Sequence, residues 1–141
     1  MNDCGLSAGE QAMLDRIGDV LIPPADGMPS LSASDPDRRW LKQACDARPD
    51  LVDSVSALLK RHPGLDSLEA VARAEAVDPD GVAALLSLSA GRYYMNPAVR
   101  RLLGYPGQVG RGPETPVYGW ERAMDLLERV VDRGPIYRES R

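Results

Sequence analysis

His62 is the only histidine in 141 residues and the one side chain whose ordinary pKa suits proton transfer near neutral pH. A catalytic base needs a nucleophile to activate, yet no Ser, Cys or carboxylate stands at a motif spacing from it. It lies between Arg61 and Pro63 at an expected helix end, where a cation complements the helix dipole, and its position predicts that role. Asp15 with Asp19, and Asp125 with Glu128, have helical spacing and can share a surface, but such pairs are ordinarily solvated faces and lack the His or Cys company of a metal site. Cys4 and Cys45 are far apart in sequence with no cluster of ligands around them. They read as small buried hydrophobes, not as a disulfide framework or a zinc site. The glycine-rich "GYPGQVGRG", residues 104–112, follows a helix instead of a strand and has no Gly-Lys-Ser/Thr ending, so neither a dinucleotide fingerprint nor a P-loop is supported. No catalytic, cofactor-binding or metal-ligating residue is assigned to this chain.

The elements around these residues are helical throughout, because no run shows alternating β-branched residues while several repeat at helical spacing. Ser7 and Glu10 form a capping box before Met13, Leu14, Ile17, Val20 and Leu21, and Pro23-Pro24 ends that helix. Asp35-Pro36 offers an N-cap and a first-turn proline for a helix carrying Trp40, Leu41 and Ala44. Pro49 opens another with Leu51, Val52, Val55, Leu58 and Leu59 inward, stopped at His62-Pro63-Gly64. Asp66 and Glu69 suggest a second capping box for a short helix through Ala76. Asp78-Pro79 begins a longer one with Val82, Leu85, Leu86 and Tyr93 on one face. Asn96-Pro97 starts a two-turn helix that Gly104 closes in a left-handed cap. From Gly104 to Gly119 eight of sixteen residues are Gly or Pro, which predicts an irregular loop. A last helix is expected from about Trp120 to Asp132, with Met124, Leu127 and Val131 inward, and 134–141 is expected to leave as an extended tail. The sum is one all-α domain over 1–141, a small orthogonal arrangement of six or seven short helices.

Net charge of −4 argues against nucleic-acid binding by the chain as a whole, and no apolar run reaches the roughly 18 residues of a membrane span. The charge is unevenly spread: 8 basic and 15 acidic residues precede Gly91, and 9 basic and 6 acidic follow. There is no Phe, and all five tyrosines lie beyond residue 92, interleaved with Arg92, Arg100, Arg101, Arg111, Arg133 and Arg138. Tyr and Arg are enriched at protein interfaces because each joins a broad contact face to a polar end. The predicted partner surface comprises Tyr93, Tyr94, Arg100, Arg101, Tyr105, Pro106 and Gly107, with Arg133, Pro135, Ile136, Tyr137 and Arg138 in the tail.

"LSAGEQAMLDRIGDVLIPPADGMPS" near the start, "YYMNPAVRRLLGYPGQ" in the middle and "VVDRGPIYR" at the end together resemble the gluconate 2-dehydrogenase subunit 3 family. These are the small accessory subunits of flavin-dependent sugar and alcohol dehydrogenases. The resemblance spans most of the chain in order, and its most specific pieces are the Gly104-Tyr105-Pro106-Gly107 turn and the tail from Arg133 to Arg138. It implies a large partner of the glucose-methanol-choline oxidoreductase type that carries the FAD and the catalytic histidine, and at times a cytochrome c subunit. It also implies a non-catalytic role here, in binding and stabilising that partner. Several members carry a twin-arginine export signal, a segment this sequence lacks, so a cytoplasmic two-subunit complex is the expectation. The competing expectations are a stand-alone helical enzyme in which acidic residues meet His62, and a general adaptor that binds an acidic protein through its basic end.

Overall fold

The computed structural model describes residues 4–108, 127–128 and 131–134. The chain forms two compact units, Met1–Gly107 and Gln108–Arg141. The first holds seven helices: α1 (Ala8–Leu21), α2 (Leu31–Ser34), α3 (Arg39–Ala47), α4 (Pro49–Arg61), α5 (Leu68–Val77), α6 (Pro79–Met95) and α7 (Pro97–Leu102). The architecture is all-α, and no strand occurs among the described residues. Nor is any described helix long and apolar enough to cross a membrane.

Helix α6 is the hub, packed against α2, α3, α4, α5 and α7, while α1 lies on α2 and α4. A central helix must be buried around much of its girth, and Val82, Ala84, Leu85, Leu88, Ser89, Arg92 and Tyr93 are all buried. The main core joins Leu14 and Ile17 of α1, Leu41 and Cys45 of α3, Val55, Leu58 and Leu59 of α4 and Ala74 of α5 to Leu85 and Leu88. Leu86, expected on the same face, is 42% exposed, because the turn-to-turn advance of α6 gives its inner positions to Leu85, Leu88 and Ser89.

Helix starts follow local chemistry, with three corrections to the sequence reading. Helix α5 is capped by Ser67, whose hydroxyl accepts from Ala70 N at 3.2 Å, and not by Asp66. Helix α3 begins at Arg39, after a left-handed Arg38, so Pro36 is not in its first turn. Asp35 caps it from a distance instead, accepting from Trp40 N at 3.1 Å and Leu41 N at 3.0 Å. The short α2 has no counterpart in the sequence reading. Ser30 caps it, and Asp19 of α1 accepts from the Ser32 amide at 2.8 Å and its hydroxyl at 2.6 Å. Burial works against the charge on Asp19, yet the Ser32 hydroxyl and amide outweigh it and hold the carboxyl below its usual range. At Gly18 a Cβ would stand 2.8 Å from Leu31 Cδ2, so any larger residue would force the buried Leu31 side chain to shift.

The predicted capping box on α1 is present and is also a tertiary link. Ser7 N and Oγ donate to Glu10 Oε2 at 2.7 and 2.6 Å, while Oε1 accepts from the Ser56 hydroxyl of α4 and lies 3.6 Å from Lys60 Nζ. The Ser56 and Ser7 hydroxyls, against the cost of burial, bring the Glu10 carboxyl down to about 2. A carboxyl depressed in the folded state adds stability above its unfolded pKa and loses it as pH falls through the folded value. Glu10 therefore contributes roughly 3 kcal/mol at neutral pH that fades between about pH 4.5 and 2. Glu10→Gln should lose that amount at pH 7 and match the parent at pH 2, as measured by urea unfolding at both pH values.

Candidate docking surface

The stretch from Tyr93 to Gln108 is held from inside by the last turns of α6. Arg92, 2% exposed, donates Nε to Asp35 Oδ2 at 2.8 Å, Nη1 to Asp15 Oδ1 at 2.7 Å and Nη2 to the Asp35 carbonyl at 3.1 Å. Arg38 closes the network from outside on Asp15 Oδ2 at 2.7 Å. Arg92, expected among the surface arginines, is thus the charged centre of the domain, and Asp15 and Asp19 are framework residues instead of an acid pair. Tyr93 is also inside, at 3% exposure, its hydroxyl donating to the Pro29 carbonyl at 2.7 Å. Burial, and then the neighbouring Tyr94, push that hydroxyl above the usual tyrosine range. Its assignment to the partner surface is corrected: the ring belongs to a second small core with Leu31 and Val99.

Asn96 turns the chain. Its side chain accepts from Ala98 N at 2.8 Å, as the N-cap reading requires, and donates to the Ser34 carbonyl at 2.6 Å. Pro97 follows in the first turn, and α7 ends as predicted on Gly104, whose φ is +67°. Gly104 N donates to Arg101 O at 3.0 Å and Tyr105 N to Arg100 O at 2.9 Å, the paired bonds of a Schellman closure. Both ends of the helix are capped, although it buries only Val99.

The last turn of α6, α7 and the turn after it display what they do not bury. Tyr94 is 53% exposed, Leu102 59%, Leu103 51% and Tyr105 54%; Arg101 and Pro106 are exposed, and Arg100 and Gly107 half-exposed. Tyr94 stands edge-on to the fixed ring of Tyr93, centroids 5.4 Å apart, so its orientation is set from the core. Leu102 lines an open cleft of about 600 Å³ with Pro24, Met28 and Pro29. The opposite wall is a tight turn in which Ala25 and Met28 exchange backbone bonds around Asp26 and Gly27, both at positive φ. Sequence reasoning missed this wall and both leucines. The Asp-Gly pair was a usable turn signal, and two adjacent leucines ending a two-turn helix cannot both point inward.

In the second unit Arg133 is exposed, and Gly134 has the positive φ expected of a helix terminator. Leu127 and Val131, expected inward, are 46% and 68% exposed. Pro135, Ile136, Tyr137 and Arg138, most of the loop to Gly119, Met124 and Asp125 lie outside the described residues. His62 is the C-cap residue of α4, at the helix end expected for it, and opens on a cleft of about 270 Å³ lined by Arg61, Arg73 and Leu65 but by no carboxylate. Among the described residues no group of three His, Cys, Asp or Glu side chains could hold a metal ion.

No family model, curated protein or solved structure matches this chain.

The Arg92 network sets the frame of the surface. Removing one partner of a buried pair strands the other, at a cost of about 3–5 kcal/mol. Arg92→Ala leaves Asp35, itself 3% exposed, without its guanidinium. It should lose that much stability by urea unfolding, whereas Arg101→Ala on the exposed face should stay within about 0.5 kcal/mol of the parent.

Proposed function

We propose that this chain is a non-catalytic accessory subunit that binds and stabilises the FAD-containing large subunit of a sugar or alcohol oxidoreductase. The observation that carries the reading is the exposure of Tyr94 near the end of α6 and of Leu102, Leu103 and Tyr105 around the capped end of α7. Large apolar and aromatic side chains held rigidly at a surface lose little entropy on docking, and interface anchors are built that way. Arg100 and Arg101 beside them favour a partner with an acidic rim. The resemblance of "YYMNPAVRRLLGYPGQ" to the gluconate 2-dehydrogenase subunit 3 family supplies the partner's class. On this reading the FAD and the catalytic histidine belong to the large subunit, a cytochrome c subunit joins some assemblies, and the complex sits in the cytoplasm.

The exposed face alone also suits a helical adaptor for some other acidic protein, and flavin separates the two. The chain should be co-expressed with a large flavoprotein encoded beside it, then followed by size exclusion and by the flavin spectrum of the complex. The isolated chain should be colourless and the complex yellow. Leu102→Asp with Tyr105→Ala should keep the helical circular dichroism and the cooperative melt of the parent while losing about 2 kcal/mol or more of binding, roughly 30-fold in Kd. Co-purification unchanged by that double variant would remove α7 from the interface, and a stoichiometric flavin on the isolated chain would end the accessory-subunit reading.

A further inference from the structure

The two cysteines, separated in sequence by α1, α2 and most of α3, meet in the fold. Cys4 is 6% exposed and Cys45 3%, and both belong to the main core and line the same cleft. Three features bring Cys4 there. Gly5 takes φ +76°, which turns the chain inward, and a Cβ at that position would stand 3.1 Å from Val52 Cγ1. Gln11 Nε2 donates to Leu6 O at 2.8 Å and to Cys4 Sγ at 3.5 Å. Leu6 is itself buried, at 5%. The segment is therefore tied down on both sides of the turn. Both cysteines also line one open cleft of about 530 Å³ with Gly5, Pro49 and Val52, which gives a small molecule a way to the sulfurs.

We propose that Cys4 and Cys45 are a modification site that closes reversibly to an intramolecular disulfide by exchange with a small-molecule disulfide. Burial first, then the neighbouring Cys4 and Asp46, push the Cys45 thiol up to about 12, so near neutral pH it enters the reaction as a thiol and the first attack falls to Cys4. The Cys4 thiolate attacks one sulfur of the small disulfide, forming a mixed disulfide and releasing one small thiolate. Cys45 then gives up its proton and attacks Cys4 Sγ, which forms the protein S–S bond and expels the second small thiolate. The protein's two thiol protons end on the two small thiols released, and the two electrons lost by the cysteines reduce the small disulfide. The second step is intramolecular between groups that line one cleft, and that proximity offsets the reluctance of Cys45 to ionise. The bond fastens the chain ahead of α1 to the end of α3. Restricting the unfolded chain over so long a loop should raise Tm by roughly 10 °C.

The full chain, reduced and then equilibrated with oxidised and reduced glutathione at neutral pH, tests this. Intact mass, denatured free-thiol titration, non-reducing electrophoresis and a thermal melt are read together. The expected result is loss of two hydrogens, no free thiol, a monomeric band, a Cys4–Cys45 cross-linked peptide and the higher Tm, all reversed by excess reductant. Cys45→Ser should instead retain one glutathione on Cys4 and show no rise in Tm, which separates closure from simple oxidation. Persistent free thiols, one glutathione on each cysteine, or disulfide-linked dimers as the main product would overturn the proposal.

Discussion

A guanidinium sealed from water has to find acceptors for its donor edge, and the fold is arranged around the solution Arg92 finds. Its acceptors come from α1, through Asp15, and from the segment ahead of α3, through the Asp35 carboxylate and carbonyl. Asp35 in turn receives the first free amides of α3. One side chain of the hub helix thus fixes the relative placement of α1, α3 and α6. Burying a charge without such partners would be prohibitively costly, so the network restricts this part of the domain to one arrangement.

The surface consequence follows from how α6 ends. With Arg92 and Tyr93 drawn inward, the next residue, Tyr94, is turned outward, and Asn96 is pinned against Ser34. Helix α7 is too short to bury more than Val99, and its Schellman closure satisfies the carbonyls that would otherwise need solvent or a longer helix. Rigid backbone and exposed apolar side chains are thus two products of one cause. The titratable groups beneath this surface belong to the frame: Asp15 and Asp35 are held by arginines, Asp19 by Ser32 and Glu10 by the two serines.

Much of this was legible in the chain by itself. Helical class, six of the seven helices described in the first unit, the capping box at Ser7, proline at the starts of α4, α6 and α7, and the closure at Gly104 all depend on interactions within a few residues, and such interactions are written in local order. The absence of alternation and the spacing of Val52, Val55, Leu58 and Leu59 sufficed to separate helix from strand.

What the tertiary structure decided is everything that depends on residues far apart. Tyr93 and Tyr94 are chemically identical neighbours, and the small core of Leu31 and Val99 together with the carbonyl of Pro29 selects which is core and which is surface. Arg92 looked like one more member of a basic stretch, because nothing near it in sequence announces Asp15 and Asp35. Helix α2 spans barely one turn, below any readable period, and owes its place to an aspartate on α1. Cys4 and Cys45 read as separate small hydrophobes until a left-handed Gly5 and the amide of Gln11 carried one to the other. Local periodicity determines which segments become helices, but the burial of charge and the pairing of distant side chains determine which of their faces remain for function.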